Sequence, residues 1–276
     1  MDTTQWIFLF TAAGLLVLGA VFLITKRLCR NARRKKLAAA PFPQAWQEII
    51  ETNIPLYKHL PEPLKGQLGS LVQIFLAEKS FEGCGGLEIT DEIRVTIAAQ
   101  ACMLLLNRKT RYFRKLRAIL VYPHTYAAKS VSSNGVTIIG RHSVRLGESW
   151  QNGPVVLAWN SVTGGAMNIK DGRNVVLHEF SHQLDQEDGA ADGAPIFERR
   201  SSYATWARVL GGEYEAMQKK KRRRSAMRKY GATNPAEFFA VATETFFEKP
   251  KQMHKKHPEL YDELKDYYKL DPLEWS

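Results

Sequence analysis

The chain has 276 residues, of which 45% are hydrophobic, and carries a formal net charge of +11. This length is enough to bury the core of one domain with a small additional segment, and the three cysteines are too few and too scattered for a disulfide framework or a cysteine-ligated zinc site. Of the 39 basic residues, 21 lie in the runs 26–36, 108–117 and 219–229. Because the rest of the chain is acidic and no nucleic-acid-binding motif accompanies the runs, the net charge does not indicate a nucleic-acid-binding protein.

The N-terminal segment 6–25, WIFLFTAAGLLVLGAVFLIT, contains no charged residue. A helix of this length rises about 30 Å, which is enough to cross a bilayer. Seven basic residues follow directly in 26–36, and the positive-inside rule then places the rest of the chain in the cytoplasm. We therefore predict a short extracytoplasmic segment 1–5, a single transmembrane helix 6–25 and a basic juxtamembrane linker 26–42 that touches an anionic membrane surface. The alternative is a buried core helix.

The central and C-terminal parts of the chain alternate between helical and strand patterns. Segment 45–80 predicts two helices broken around LPEPL. Segment 90–108 predicts a helix with Thr90 as N-cap, because acidic residues occupy its first turn and an apolar stripe follows. Runs of β-branched and aromatic residues predict strands at 117–123, 135–140 and 154–162. Further helices are predicted at 172–186, near 200–224, at 234–250 and at 257–267. Helices followed by a few strands and then by helices indicate an α+β fold.

The stretch NVVLHEFSHQLDQEDG, residues 174–189, contains the strongest chemical signal. On a helix, His178 and His182 lie on one side, where two neutral imidazoles can bind one zinc ion. Glu179 then lies beside the metal, where its carboxylate can take a proton from a bound water. The alternative is an ordinary amphipathic helix with polar residues on its exposed face. The apolar residues 175–177 before the motif favour a buried helix and hence the metal site.

A catalytic zinc ion needs a third protein ligand. A further histidine six residues after His182 would indicate a metzincin, but that position is Asp188. Three carboxylates are candidates, in the order Glu237, Glu244 and Asp185. Glu237 is also placed to close a capping box at the start of its helix, which is the structural alternative. Asp185 shares the histidine face of its helix and is therefore also predicted to orient an imidazole.

Several long segments, in order along the chain, resemble the Mlc titration factor A family of bacterial zinc metallopeptidases. The resemblance covers about 43–270 and leaves 271–276 as a C-terminal tail. It implies a zincin-like metallopeptidase domain, a small mixed sheet with active-site helices similar to the lethal-factor type of gluzincin. The segments that carry it are FLAEKSFEGCGGLEITDEIRVTIAAQACMLLLN, VYPHTY, GPVVLAWNSV, NVVLHEFSHQLDQEDGAADGAP and NPAEFFAVATETFFEKP.

The same resemblance implies roles for individual residues. One Zn²⁺ per chain would be held by His178, His182 and Glu237. Glu179 would act as the general base, and the hydroxyl of Tyr230 would stabilise the tetrahedral intermediate. These assignments place Glu237 ahead of the other two carboxylates as the third ligand.

The combined expectation is a membrane-tethered zinc peptidase with its catalytic domain on the cytoplasmic side of the bacterial inner membrane. It would act on a peptide or protein substrate. Segment 154–162 would be the edge strand that pairs with an extended peptide, with Trp159 and Asn160 contacting the substrate; a plain internal strand is the alternative. The resemblance also allows a regulatory protein that binds and sequesters a glucose-responsive transcriptional repressor.

Overall fold

The computed structural model describes residues 3–109, 111–124, 126–128, 143–145, 147–149, 153–219 and 225–275. The chain divides into two compact units, Met1–Pro41 and Phe42–Ser276. The predicted strand 135–140 and residues 220–224 of the basic run 219–229 lie outside the described residues. The last described turn, a 3-10 helix at Pro272–Trp275, buries Trp275.

The first unit is formed by helix α1, Thr3–Ala39. The helix continues without a break from the apolar segment through the basic residues 26–36, so both belong to one element. Among the helices of the described residues, none is both long enough and apolar enough to cross a membrane. This finding contradicts the predicted transmembrane helix 6–25, and with it the predicted single-pass location in the bacterial inner membrane.

The second unit is built mainly from helices. Its α-helices are α2 (Gln44–Asn53), α3 (Pro55–Lys58), α4 (Glu62–Glu78), α5 (Asp91–Met103), α6 (Trp159–Met167), α7 (Val175–Asp185), α8 (Ser202–Gln218), α9 (Pro235–Glu248), α10 (Pro250–Lys256) and α11 (Pro258–Tyr268). The predicted N-cap of α5 is confirmed, because the Thr90 hydroxyl accepts a hydrogen bond from the amide of Ile93 at 3.3 Å. A second 3-10 helix, Lys229–Ala232, precedes α9.

The strands form one small sheet and one short ribbon. In the sheet the order is β1 (Ser80–Gly83), β2 (Ala118–Tyr122), β6 (Val155–Ala158) and β5 (Gly147–Ser149). β1, β2 and β6 run parallel, with Ser80 opposite Ala118 and Ile119 opposite Val155. β5 runs antiparallel to β6, and the ribbon pairs β3 (Tyr126–Ala128) with β4 (Ser143–Arg145).

The α+β prediction is therefore wrong. The described chain is mostly helical, and its small sheet has a core of three short parallel strands. Parallel neighbours require a crossover, and α5 supplies it between β1 and β2. The strand predicted at 154–162 ends at Ala158, and Trp159 and Asn160 begin α6. Because β6 pairs with β2 on one side and β5 on the other, it is an internal strand and not the predicted edge.

At the centre, α7 packs on both α5 and α9 and places the polar site. Phe180 lies on the side of α7 opposite the two histidines, and its ring meets Phe113 at 5.0 Å and Phe75 at 5.8 Å between centroids. These rings are almost completely buried. Because one face of α7 is fixed in this aromatic core, the opposite face holds its histidines in a defined direction.

The approach of α6 to the beginning of α7 depends on Gly165. A Cβ atom there would lie 3.0 Å from the carbonyl oxygen of Arg173 and 3.1 Å from the Cα of Asn174. The neighbouring Gly164 has open space at the same point. The two glycines lie in the same helix, but only Gly165 faces the backbone at the start of α7. Gly164 therefore serves as a control for a substitution at Gly165.

We expect Gly165→Ala to destabilise the protein by about 1–3 kcal/mol, because the added methyl group must displace backbone at the start of α7. Gly164→Ala should be neutral or stabilising by up to about 1 kcal/mol, since alanine favours the helix. Urea unfolding of both variants measures the difference. Equal effects in the two variants would contradict the close approach.

Candidate metal centre

Helix α7 carries the HExxH residues and begins at a side-chain cap. The side-chain oxygen of Asn174 accepts hydrogen bonds from the amides of Val176 at 3.1 Å and Leu177 at 3.0 Å. Its side-chain nitrogen donates to Gln100 on α5 at 2.9 Å. The start of α7 is thereby tied to α5, which fixes the position of His178 relative to that helix.

Three side chains from two helices converge in front of α7. His178 and His182 are one turn apart with ring centroids 4.9 Å from each other. The Glu237 carboxylate on α9 lies 2.9 Å from Nε2 of His178 and 3.6 Å from Nε2 of His182. One ligand atom from each residue lies within 4.8 Å of the other two. Among the described residues this is the one group of three or more such side chains.

The donor set fits zinc. Two imidazole nitrogens and one carboxylate oxygen are the protein ligands of many catalytic zinc sites, at about 2.0–2.1 Å from the metal. Tetrahedral ligands at that distance are about 3.3 Å apart, and the two distances from Glu237 to the imidazoles bracket this value. Glu237 stands at the third position of α9, where the side chain of Asn234 caps its amide at 2.8 Å. Within the described residues, no hydrogen bond from the Asn234 backbone closes the reciprocal half of a capping box.

Glu244, the second candidate ligand from the sequence, lies behind the histidines. Its Oε1 accepts a hydrogen bond from Nδ1 of His178 at 2.7 Å, and its Oε2 accepts from the amide of Asn174 at 2.7 Å. The carboxylate is almost completely buried. A carboxylate bound to Nδ1 leaves Nε2 directed at the metal position and fixes the ring orientation.

Arg228 completes this arrangement and was not identified from the sequence. Its guanidinium donates to Oε1 of Glu244, and its Nε donates to the carbonyl of Gly172 at 3.1 Å. The same guanidinium lies 5.9 Å from the ring centroid of Tyr230. In the sequence Arg228 is one of eight cations in the run 219–229, and nothing in that pattern distinguishes it from its neighbours.

The two predicted catalytic side chains flank the histidines. Glu179 is buried, and burial raises the pKa of its carboxyl group despite the nearby imidazoles. The Tyr230 ring lies 5.9 Å from the His178 ring and is 50% exposed. Partial burial, followed by the charges of Glu237 and Glu179, raises the pKa of Tyr230 to about 12, so its hydroxyl is protonated at neutral pH and can donate a hydrogen bond.

The ligand side chains influence one another's protonation. Burial opposes protonation of His178, but its hydrogen bonds to Glu237 and Glu244 raise its pKa above the ordinary value. Burial also opposes ionisation of Glu237, yet the hydrogen bonds from His178 and His182 hold the pKa of that carboxyl well below its usual range. The site therefore presents an anionic carboxylate toward the position where a cation would bind.

The remaining predicted site residues lie elsewhere. Asp185 is fully buried and accepts a hydrogen bond from the amide of Gly193 at 3.0 Å. Within the described residues no hydrogen bond links it to either imidazole, and the carboxylate that orients His178 is Glu244. Trp159 and Asn160 begin α6, and their contact with a substrate stays a prediction.

Glu248, one turn after Glu244 on α9, is a second buried carboxyl group. Its Oε2 accepts a hydrogen bond from the amide of Arg173 at 3.0 Å, and among the described residues its buried Oε1 has no hydrogen-bond partner. Burial, followed by the negative charge of Glu244, raises the pKa of Glu248 to about 8. At neutral pH the Glu248 carboxyl group beside the start of α7 is therefore largely protonated.

Comparison with known sequences gives several similar proteins. The profile of a family described as glucose-regulated metallo-peptidase M90 matches residues 29–269. An uncharacterized protein of Synechocystis sp., slr2042, is 40% identical over 245 residues, which cover 87% of this chain and 89% of that protein. Mlc titration factor A of Klebsiella pneumoniae is 29% identical over 240 residues, covering 83% and 87%. The protein of the same name from Yersinia pestis is 29% identical over 234 residues, covering 83% and 85%.

The raised pKa of Glu248 predicts a pH-dependent stability. Because the folded protein holds this proton more tightly than the unfolded chain, the stabilisation is complete below the unfolded pKa and is lost as pH rises toward about 8. We expect metal-free protein to lose on the order of 3 kcal/mol from this group between pH 5 and 8. Glu248→Gln should flatten that slope, whereas Glu259→Gln, an exposed carboxylate on α11, should not. Unfolding in the presence of a chelator measures this, and an unchanged slope in Glu248→Gln would contradict the assignment.

Proposed function

Because the chain belongs to the glucose-regulated metallo-peptidase M90 family, we propose that it is a zinc-dependent peptidase that hydrolyses peptide bonds. The observation that carries the proposal is the convergence of His178, His182 and Glu237, with Glu179 beside the first histidine. Membership supports a metallopeptidase, and the donor set supports zinc as its metal. The substrate class, a peptide or protein, follows from this reaction.

The chain's own side chains would perform the proton transfers. The three ligands would hold a zinc ion, which would supply the Lewis acid that lowers the pKa of a water molecule. Glu179 accepts the proton of that water as its oxygen attacks the peptide carbonyl carbon. The same carboxyl group then gives the proton to the amide nitrogen as the carbon–nitrogen bond breaks. A raised pKa suits a carboxyl group that must both take and return a proton.

Tyr230 would stabilise the negative charge that forms on the carbonyl oxygen. Its half-exposed ring stands beside His178, and its raised pKa keeps the hydroxyl proton available for a hydrogen bond. Arg228 lies against the ring and binds Glu244, so one guanidinium contacts both the donor and the residue that orients His178.

The sheet offers a place for the substrate backbone. β5 is the outer strand beyond β6, and it contacts α7. An extended peptide could pair with such an edge by main-chain hydrogen bonds. In this arrangement the peptide would run next to the helix that carries the histidines.

A second candidate function is binding of a transcriptional repressor. It is favoured by the relatives named Mlc titration factor A, whose name states that they titrate Mlc. We propose that this chain binds a repressor protein of that type, with peptidase activity as a separate property of the zinc site. A variant that lacks hydrolysis and keeps its zinc distinguishes the two functions.

Glu179→Gln and Tyr230→Phe should both retain fold and zinc but lose catalysis. Removing the base should lower kcat about 10²–10⁴-fold, and removing the oxyanion donor about 10²–10³-fold. Cleavage of a quenched fluorescent peptide library, with zinc content measured on the same samples, tests this. Full activity in Glu179→Gln would refute the peptidase mechanism. Repressor binding by this inactive variant would support the second function.

The wild-type protein should bind one zinc ion per chain, and the two glutamates of α9 should differ in effect. Glu237→Gln should reduce zinc content well below one, because two remaining ligands seldom hold the ion. Glu244→Gln should retain zinc with about 10–100-fold weaker affinity, as expected for loss of a partner that orients a ligand. Metal analysis after dialysis and a chelator titration measure both. Loss of zinc from Glu244→Gln with retention in Glu237→Gln would reverse the two roles.

A further inference from the structure

The loop after α7 contains a glycine whose backbone is held from both sides. The amide of Gly193 donates to Oδ2 of Asp185 on α7 at 3.0 Å. Its carbonyl accepts a hydrogen bond from the indole nitrogen of Trp206 on α8 at 2.9 Å. Asp185 is fully buried and Trp206 nearly so. Both backbone polar groups of Gly193 are therefore fixed by buried side chains of two different helices.

The same glycine packs directly against the beginning of α9. A Cβ atom on Gly193 would lie 2.5 Å from the carbonyl oxygen of Pro235 and 2.9 Å from its carbonyl carbon. No real side chain fits at that distance, and the φ angle of +77° also favours glycine. Pro235 is the first residue of α9. The loop thus meets the helix terminus at backbone contact.

This contact connects the two ligand-bearing helices. Asp185 follows His182 by three residues on α7, and Pro235 precedes Glu237 by two residues on α9. His182 and Glu237 are therefore connected through the hydrogen bond between Asp185 and Gly193 and the backbone contact between Gly193 and Pro235. A displacement of Pro235 would carry Glu237 with it, because both belong to the first turn of the helix.

We infer that Gly193 and Asp185 are positioning residues that set the separation of Glu237 from the two histidines. The inference rests on the proposed function, since it takes these three side chains as the metal ligands. In this inference the buried Asp185 holds the loop at Gly193, and the loop in turn positions the beginning of α9. The glycine is required because its missing side chain lets the loop touch Pro235.

The loop also provides a matched control. Gly189 has a φ of +110°, so an alanine there also meets backbone strain. Its Cβ atom would approach the end of the flexible Lys115 side chain at 3.8 Å, which is an ordinary contact. Gly189→Ala therefore tests backbone strain in the loop without the contact to α9.

Gly193→Ala should weaken zinc binding at least tenfold and change the visible absorption spectrum of the Co²⁺-substituted protein, which reports ligand geometry. Gly189→Ala should keep the wild-type zinc affinity to within about twofold, even where its melting temperature falls. Competition with a chromogenic chelator gives the zinc affinities. Wild-type affinity and an unchanged Co²⁺ spectrum in Gly193→Ala would overturn the inference. Failure of the wild-type protein to bind zinc would instead overturn the proposed function.

Two milder changes decide the question if Gly193→Ala does not fold. Trp206→Phe removes the donor to the Gly193 carbonyl, and Asp185→Ala removes the acceptor of its amide; each should weaken zinc binding several-fold. Asp185→Asn should restore affinity, because its side-chain oxygen can still accept the amide hydrogen bond. Asp188→Ala, which removes an exposed carboxylate from the same loop, is the control. Equal losses in Asp185→Asn and Asp185→Ala would show a charge effect and overturn the inference, as would unchanged affinity in both Trp206→Phe and Asp185→Ala.

Discussion

The centre of this protein depends on the hydrogen bonds that the buried Glu244 carboxylate accepts. This carboxylate lies at 1% exposure in the core and receives hydrogen bonds from His178, the amide of Asn174 and the guanidinium of Arg228. A buried charge left without partners costs about 3–5 kcal/mol. The carboxylate therefore holds together the N-terminus of α7, the ring of His178 and the segment that carries Tyr230. Stability of the core and orientation of the site have the same physical origin.

The arrangement also gives different electrostatic surroundings to two carboxyl groups that lie one turn apart on α9. Glu244 accepts hydrogen bonds from a guanidinium, an imidazole and an amide, and its charge helps to raise the pKa of Glu248. Two anions so close together in a low-dielectric core would repel each other strongly. One charged and one neutral group can both be buried next to the start of α7. In front of the histidines the anionic carboxylate is Glu237, whose pKa is lowered by its hydrogen bonds to them.

Rigid packing supports the site from behind and from the side. The aromatic cluster around Phe180 fixes α7 from the face opposite the histidines, and Gly165 allows α6 to approach its N-terminus. Gly193 keeps the loop after α7 against the first residue of α9. A metal site formed by side chains of two helices needs these distances held to a few tenths of an ångström, and close backbone contacts provide that precision.

The sequence by itself determined the parts that depend on local periodicity. Histidines four apart on a helix must share a face, and the Asn234 cap with Pro235 starts α9 so that Glu237 lies in its first turn, where the structure has it. Only the tertiary structure decided which carboxylate faces which nitrogen, because Glu237 and Glu244 lie two turns apart on one side of the same helix. Trp159 and Asn160, which the sequence predicts in a strand, begin a helix, and β6 is an internal strand and not an edge. The predicted α+β arrangement is in fact a mostly helical one. Strand pairing, the contacts of Arg228 and the approach of Gly193 to Pro235 join residues distant in sequence, and no local pattern specifies such contacts.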